Sequence, residues 1–182
     1  MLSGDRVLET RAEEMGRGQA ERLMPMLEEL LARHGLGWPD LAALGVGTGP
    51  GNFTGIRIAV AAARGLALAL EVPAVGVNGF EAIGLDRSEP HLAVIPAPRG
   101  QVYAAAPGAL PALIPAEAAA EAAARAGLPV AMPSAPEEMA LAIARIALAR
   151  HGAPGPAPAP LYLRPADAAP SREAPPVILD DA

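Results

Sequence analysis

The 182-residue sequence contains neither lysine nor cysteine, and all fourteen of its basic residues are arginine. The absence of lysine excludes a phosphate-binding loop of the Walker type and Schiff-base catalysis, since both need its amine. The absence of cysteine excludes thiol catalysis, thiolate metal sites and disulfide bonds. Because the arginines are scattered singly and the net charge is -6, a surface that binds nucleic acid directly is disfavoured.

Aromatic residues are also scarce, at 3% of the chain against a hydrophobic fraction of 52%. The core must therefore consist of Ala, Leu, Val and Ile, whose small side chains let neighbouring elements approach closely. No apolar signal segment occurs near the start, and the most apolar stretch, 56–77, is interrupted by charges and by Pro73. A membrane span would be more continuous. We therefore predict a cytoplasmic protein with no membrane segment.

Apolar residues at helical spacing predict an amphipathic helix over 18–34, with Pro25 inside it and a stop at 35–37. The other predicted elements are a turn at 4–5 with an edge strand at 6–11, strands at 41–47 and 73–77, a helix at 54–70, a hairpin of 92–95 with 101–106, a helix at 115–126, a short strand at 130–132, a helix at 136–150 and a docked strand at 161–164.

Strand 41–47, helix 54–70 and strand 73–77 follow one another closely. This order is typical of a βαβ unit with parallel strands and a right-handed crossover, which makes the chain an α/β protein. We predict a lobe at 1–90, a smaller lobe at 91–164 and a disordered acidic tail at 165–182.

A glycine-rich turn leads into the helix 54–70. Backbone amides and the helix dipole favour an anion at such a position. The candidate anion-binding residues are Gly49, Gly51, Asn52, Thr54 and Gly55. A plain structural turn explains the same residues and is the stronger interpretation from composition, because the chain lacks lysine and a Gly-x-Gly-x-x-Gly pattern.

Two helices carry candidate partner-binding surfaces. Helix 18–34 has a wide apolar stripe with methionines, which suit adaptable interfaces, and helix 54–70 is rich in alanine, which allows close helix approach. Core packing is the more frequent explanation for a methionine stripe and an equally good one for the alanines. The candidate partner-binding residues are Leu23, Met24, Leu27, Leu30, Leu31, Phe53, Thr54, Arg57, Ala59, Val60, Ala63 and Arg64.

No catalytic or metal-binding set of residues is apparent in the sequence. The three histidines, at 34, 91 and 151, are far apart and none has a second ligand at a suitable spacing. The four serines lie in turn-like or tail contexts, and none has a nucleophile-elbow sequence. We expect neither a metal site nor catalytic residues.

The segment Gly-Pro-Gly-Asn-Phe-Thr-Gly-Ile-Arg-Ile at 49–58, continuing through 63–67 to 73–77, resembles the TsaB (YeaZ) family. The helix at 20–27, the stretch 99–103 and the segment 160–164 add to the likeness, which covers most of residues 4–165.

The resemblance implies an actin-like ATPase fold (ASKHA, ribonuclease H-like) with a mixed sheet and flanking helices. It implies a non-catalytic scaffold subunit that binds and activates a TsaD-like transferase, which forms threonylcarbamoyladenosine beside the tRNA anticodon. Helices 18–34 and 54–70 would pair with that transferase, and a TsaE-like ATPase would join the complex. The subunit would form a homodimer when alone and meet tRNA only through the complex. ATP or ADP at the subunit junction is the one candidate cofactor.

The chain departs from the family pattern at two places. An opening strand with an Ile-Asp-Thr-Ser-like motif, and the first half of the following hairpin, are missing, which predicts a sheet without its first strand or strands. Residues Pro96-Ala97-Pro98 stand where the family commonly has Asp-Ala-Arg.

Two alternative functions are compatible with parts of the sequence. One is a nucleotide-binding hydrolase or M22-like peptidase that uses the glycine turn, which the missing lysine and the missing nucleophile–base pair disfavour. The other is a homodimeric interaction module. Self-pairing would use the same two helices as pairing with a paralogue, so the sequence is compatible with both.

Overall fold

The computed structural model describes residues 1–153 and 155–163. Its helices are α1 Gln19–Arg33, α2 Phe53–Leu70, α3 Gly79–Gly84, α4 Ala116–Ala126 and α5 Pro136–Arg150. Its strands are β1 Leu2–Ser3, β2 Arg6–Val7, β3 Leu44–Gly47, β4 Ala74–Val77, β5 Leu92–Pro96, β6 Gln101–Ala105, β7 Ala112–Pro115 and β8 Val130–Ala131. The described strands form the β1–β2 hairpin, the β3–β4 pair and a four-stranded sheet in the order β7-β6-β5-β8.

The predicted βαβ unit is present. Strands β3 and β4 are parallel, with Leu44 opposite Ala74 and Gly47 opposite Val77, and α2 connects them. By length and composition alone α2 could cross a membrane, since its mean hydropathy is 1.5. Both of its ends lead into strands that lie side by side, however, so α2 runs back along the sheet as a crossover helix.

Strand β3 lies between two helices because its side chains alternate in size. Val46 points towards α2, where it packs against Val60 and Ala63. Gly45 points the other way, towards α5, and a Cβ atom on it would lie 2.8 Å from the Cβ of Ala147. Since successive residues of a strand face opposite sides, glycine at this position lets α5 approach the strand backbone.

The α5 side of the β3–β4 pair holds a compact aliphatic cluster. Val77 is 0% exposed, and the residues buried together there are Val75, Val77, Ala82, Ile146 and Ala147. Full burial of a valine or isoleucine side chain contributes about 1.5–3 kcal/mol. This cluster therefore fixes α5 to the first half of the chain.

Helix α1 runs through Pro25 as one continuous helix and ends where the sequence predicts. Gly35 has a φ of 66°, and its N–H donates to the carbonyl of Ala32 at 3.0 Å. The N–H of Leu36 donates to the carbonyl of Leu31, also at 3.0 Å. These two bonds form a Schellman motif, which satisfies carbonyls at the helix end.

Ion pairs hold the segment before α1 against the helix surface. Arg11 and Arg22 each hydrogen-bond both Glu13 and Glu29, so the four charges form a closed ring. Hydrogen bonds from Arg22 and then from Arg11 lower the pKa of Glu29 to about 2. Because the ring lies on the surface, its contribution to stability is modest.

Strands β5 and β6 form the predicted hairpin. Its turn places Arg99 and Gly100 at φ values of 61° and 68°, the left-handed conformation that type I′ hairpin turns require. Strand β8 pairs in parallel with β5. Helix α4 packs on this sheet through the buried Ala119 and Ala123.

Some short elements differ from the prediction. The sequence pattern does not predict α3 or β7, because neither is long enough to show a period. The predicted strand at 161–164 is wrong for residues 161–163, which form no strand. The predicted edge strand at 6–11 is shortened to β2. Arg164 and the predicted tail at 165–182 lie outside the described residues.

The division of the chain at residue 90 stays a prediction. Strand β5 begins just after that boundary, at Leu92, but α5, which follows the second sheet in the chain, packs on β3 and β4. The chain therefore returns to its first half after the second sheet. Within the described ranges, β3 pairs with no strand other than β4.

The variant Gly45→Ala tests the close approach of α5 to β3. The added carbon would lie 2.8 Å from the Cβ of Ala147, so we expect the free energy of unfolding to fall by about 1–3 kcal/mol. The matched control is Gly65→Ala in α2, where a Cβ atom would have nothing within 4 Å. Since alanine favours a helix, this control should raise stability by up to about 1 kcal/mol. Urea denaturation measures both, and equal effects would contradict the close packing.

Acid titration of stability tests the ion-pair ring. The folded pKa of Glu29 lies at about 2, below its ordinary value of 4.5, so the unfolded chain takes up this proton first as the pH falls. The contribution of Glu29 to the free energy of unfolding is complete above about pH 4.5 and is lost towards pH 2.

We expect Glu29→Gln to reduce this acid-dependent loss. Glu28→Gln, on the same helix but outside the ring, is the matched control and should keep the loss. Denaturation curves measured between pH 2 and pH 7 compare the two, and identical pH dependence in both variants would contradict a role for the ring.

Candidate functional site

The turn 49–55 is anchored on two sides by backbone hydrogen bonds. The Gly49 carbonyl accepts the N–H of Gly79 at 2.7 Å, which fixes the turn to the start of α3. The neighbouring Thr48 carbonyl accepts the N–H of Leu161 at 2.8 Å. Gly49 has a φ of 98°, a conformation that favours glycine. The turn thus joins β3, α3 and the segment 161–163.

Asn52 caps helix α2. Its side-chain oxygen accepts the N–H of Gly55 at 2.8 Å, and its carbonyl accepts the N–H of Ile56 at 3.0 Å. One amide that the predicted anion site would use is therefore bonded within the chain. Gly51 and Thr54 are exposed, and the anion site stays a prediction, because a helix cap accounts for the Asn52 side chain.

Helix α2 has two different faces. Val60 and Ala63 are only 4% and 9% exposed, and they pack against β3. Six exposed residues, which we call the outer face of α2, are Phe53, Arg57, Ala61, Arg64, Gly65 and Leu68. Their spacing of three or four residues places them on one side of the helix. Leu68 is 83% exposed.

Burial divides the predicted partner-binding residues into three groups. The exposed ones are Phe53, Thr54, Arg57 and Arg64, the half-buried ones are Leu23, Met24, Leu27, Leu30 and Ala59, and the buried ones are Leu31, Val60 and Ala63. Leu31, Val60 and Ala63 are buried inside the chain, so they have little surface to offer a partner. The assignment of the twelve residues to a partner surface stays a prediction. The sequence interpretation also misses Ala61, Gly65 and Leu68, because an alanine-rich helix shows little contrast between its faces.

Helix α1 lies beside α2. Its apolar stripe is only partly covered, since Leu31 is 4% exposed whereas Leu23, Met24, Leu27 and Leu30 stay half-buried. Contiguous apolar side chains left partly exposed mark interaction surfaces. Helix α1 therefore keeps partly exposed apolar side chains while it lies next to α2.

A cluster of two aromatic rings and one guanidinium lies at the N-terminal end of the outer face. The guanidinium carbon of Arg57 is 3.8 Å from the ring centre of Phe53 and 5.6 Å from that of Tyr162. The Nε of Arg57 donates to the Tyr162 hydroxyl at 2.7 Å. The two rings lie 5.0 Å apart. Tyr162 is absent from the sequence prediction because it is 105 residues from Arg57 in the chain.

The charge of α2 differs from that of the rest of the chain. The helix contains Arg57 and Arg64 and no acidic residue, although the chain as a whole has a net charge of -6. Elsewhere on the described surface, Arg11, Arg22, Arg33 and Arg150 pair with glutamates, whereas other arginines, Arg145 among them, form no described ion pair. The outer face is therefore locally positive.

The described part of the chain has no group of three or more His, Asp or Glu residues that could hold a metal ion. A cavity of about 420 Å³ lies behind the turn, and Thr48, Asn78, Glu81 and Arg150 contribute to its walls. Among the described lining residues, Arg150 is the one cation, and its guanidinium is 2.7 Å from the Glu81 carboxylate. The described part of the cavity wall thus provides no unpaired positive charge for the phosphates of a nucleotide.

The sequence and the fold of the chain are similar to those of known proteins. The family model described as TsaD, tRNA N6-adenosine threonylcarbamoyltransferase, matches residues 11–155. The tRNA threonylcarbamoyladenosine biosynthesis protein TsaB of Haemophilus influenzae is 36% identical over 92 residues, which cover 48% of this chain and 39% of that protein. TsaB of Escherichia coli is 37% identical over 94 residues, covering 49% of this chain and 41% of that protein. The match therefore spans about two fifths of the length of these TsaB relatives.

A longer match is an uncharacterized protein of Mycobacterium tuberculosis, which is 39% identical over 166 residues and covers 85% of this chain and 79% of its own. Two solved structures from Pseudomonas aeruginosa have the same fold. A protein with similarity to peptidase YeaZ has a TM-score of 0.61 and 29% identity, covering 84% of this chain and 87% of its own. YeaZ itself has a TM-score of 0.59 and 26% identity, covering 83% and 87%.

These structural matches confirm the predicted actin-like fold with flanking helices. The TsaD family model covers residues 11–155, and shorter stretches of the chain also match proteins named tRNA N6-adenosine threonylcarbamoyltransferase. Together with the TsaB sequences and the YeaZ structures, which match more of the chain than those transferases do, the family model shows that the chain belongs to the TsaB (YeaZ) family.

Proposed function

We propose that this chain is a non-catalytic scaffold subunit, which binds and activates a TsaD-like transferase during formation of N6-threonylcarbamoyladenosine in tRNA. The names of the relatives support the pathway, since TsaB is described as a biosynthesis protein of this nucleoside and the family model as its transferase. The exposure of apolar residues on the outer face of α2 is the observation that best supports the scaffold role.

Tyr162 contacts the N-terminal end of the outer face, whereas the part around Ala61, Gly65 and Leu68 is apolar and exposed. The helix has a mean hydropathy of 1.5, yet Leu68 is 83% exposed. A Cβ atom on Gly65 would have no neighbour within 4 Å, and Ala61 one turn earlier is also small. Small residues let a second helix pack at about 8–10 Å between axes. Burial of Leu68 alone against such a helix would contribute about 1.5–3 kcal/mol.

Helix α1 extends this surface, because its half-buried Leu27 and Leu30 lie on the helix next to α2. Two adjacent helices with uncovered apolar positions suit a partner that also presents a pair of helices. A TsaD-like paralogue of the same fold would present the corresponding pair.

The residues available for chemistry support a role without catalysis. The chain has no lysine and no cysteine, and the cation in the cavity wall, Arg150, is paired with Glu81. A nucleophile also needs a neighbouring base. Calorimetry that detected tight nucleotide binding by the isolated chain would favour the alternative of a nucleotide-binding hydrolase or M22-like peptidase.

Several parts of the proposal follow from the family. They are a TsaE-like ATPase as a further component, contact with tRNA only through the complex, ATP or ADP at the subunit junction, and a cytoplasmic location. A homodimeric module would use the same outer face. Light scattering with and without the transferase distinguishes the two, because a heterodimer forms at the expense of any homodimer.

The variant Leu68→Asp tests the outer face directly. A buried unpaired carboxylate is costly in an apolar contact, so we expect the affinity for the transferase of the same organism to fall by about 30-fold or more. Activation of threonylcarbamoyl transfer to tRNA should fall in parallel. Calorimetry and a tRNA modification assay measure the two effects.

The matched control is Leu110→Asp, because Leu110 is 91% exposed in the loop between β6 and β7. It should leave both affinity and activation unchanged. If the parent chain neither binds the transferase nor changes its activity, the proposed function is wrong. If Leu68→Asp and Leu110→Asp bind equally well, the outer face is not the binding surface.

A further inference from the structure

Two neighbours hold the Arg57 side chain in place while its terminal nitrogens stay available. The Phe53 ring lies under the guanidinium at 3.8 Å, and the Tyr162 hydroxyl accepts from Nε at 2.7 Å. Among the described residues, Nη1 and Nη2 make no hydrogen bond or ion pair. A guanidinium with these two nitrogens free presents parallel N–H groups that match the two oxygens of a carboxylate.

The position of Arg57 in the helix is electrostatically unfavourable. It lies in the first two turns of α2, whose N-terminal end already carries partial positive charge. No acidic residue occurs anywhere in α2 to offset it. Stacking on an aromatic ring contributes only about 0.5–1 kcal/mol at an exposed site. Among the described residues Arg57 has no acidic partner, so its charge is available to a further anion.

The cluster is preorganised at low entropic cost. Phe53 and Tyr162 are 39% and 44% exposed, in a chain with only one Trp, two Tyr and two Phe. Leu161 and Leu163 pack into the core on either side of Tyr162, so the tyrosine is held by its neighbours in sequence. Arginine and tyrosine are enriched among the residues that dominate binding energy at interfaces, and a preorganised group loses less entropy on binding.

We propose that Arg57, positioned by Phe53 and Tyr162, receives a side-chain carboxylate of the partner protein and so determines which partner the outer face of α2 accepts. This inference rests on the proposed function and adds the chemical class of the group that is recognised: an acidic side chain on a different protein.

Charge favours a different protein over a second copy of this chain. A self-paired outer face would contain Arg57 and Arg64 from both copies and no acidic residue of α2 to offset them. Like charges at close range oppose such pairing. A phosphate ligand is less well matched, because the Gly55 amide beside the cluster is already bonded to Asn52.

The test measures the affinity of the full chain for the transferase of the same organism by calorimetry, at low and at physiological salt. We expect Arg57→Met to weaken binding by about 30-fold or more. Arg57→Lys should be nearly as weak, because an ammonium lacks the planar fork. Tyr162→Phe, which removes only the hydroxyl, should give an intermediate loss. The matched control is Arg145→Met, an exposed arginine of α5, and it should stay within twofold of the parent.

A charge reversal identifies the carboxylate. Hydrogen exchange first locates the segments of the transferase whose backbone amides become protected on binding. Each exposed Asp or Glu in those segments is then changed to Lys, and the affinity of each transferase variant is measured for the parent chain and for Arg57→Glu. Recovery of affinity by at least tenfold in one reversed pair supports the proposal. Thermal melting of each variant confirms folding, and Tyr162→Phe alone decides the outcome if Arg57→Met does not fold.

Binding measurements distinguish a failure of this inference from a failure of the proposed function. If the parent binds and Arg57→Met binds as tightly, the inference is overturned while the scaffold role stands. If Arg57→Met loses affinity for inorganic phosphate or ATP but not for the transferase, Arg57 binds a phosphate and the inference is overturned. If the parent does not bind the transferase, the proposed function fails, and this inference fails with it.

Discussion

The packing of β3 between α2 and α5 is the constraint on which the rest of the fold depends. Gly45 is small enough for α5 to approach the strand backbone, with Ala147 at the contact, while Val46 on the other face packs against Val60 of α2. The parallel pairing of β3 with β4 then fixes where both ends of α2 must lie. Because one side of α2 packs against the sheet, the outer face is exposed.

This geometry links the glycine turn to the surface through Thr48 and Leu161. The backbone bond between them, at 2.8 Å, returns the end of the described chain to the start of α2. Tyr162 is thereby brought to Phe53 and Arg57. The turn therefore has a structural role: it caps α2 and hydrogen-bonds the start of α3. Together with Thr48 it also positions the aromatic–arginine cluster at the end of the outer face.

Arginine has two distinct roles in this lysine-free chain. In the ring of Arg11, Glu13, Arg22 and Glu29 it joins the segment before α1 to the helix, and the charges cancel locally. On α2 no described acid offsets the charge of Arg57. A neutralised pair stabilises its own chain modestly, whereas an unmatched guanidinium held by aromatic rings is suited to recognise another molecule.

The sequence by itself determined the elements whose physics is local. Helix α5 has the predicted bounds of 136–150, the stop at Gly35 follows from left-handed glycine, and the order of strand, helix and strand predicts the parallel pair. The family resemblance likewise rests on a contiguous motif. Only the tertiary structure decided which side of α2 is buried, because alanine and leucine occupy both sides of that helix. It also decided the meeting of Tyr162 with Arg57, since a contact between residues so distant in sequence depends on how the whole chain packs.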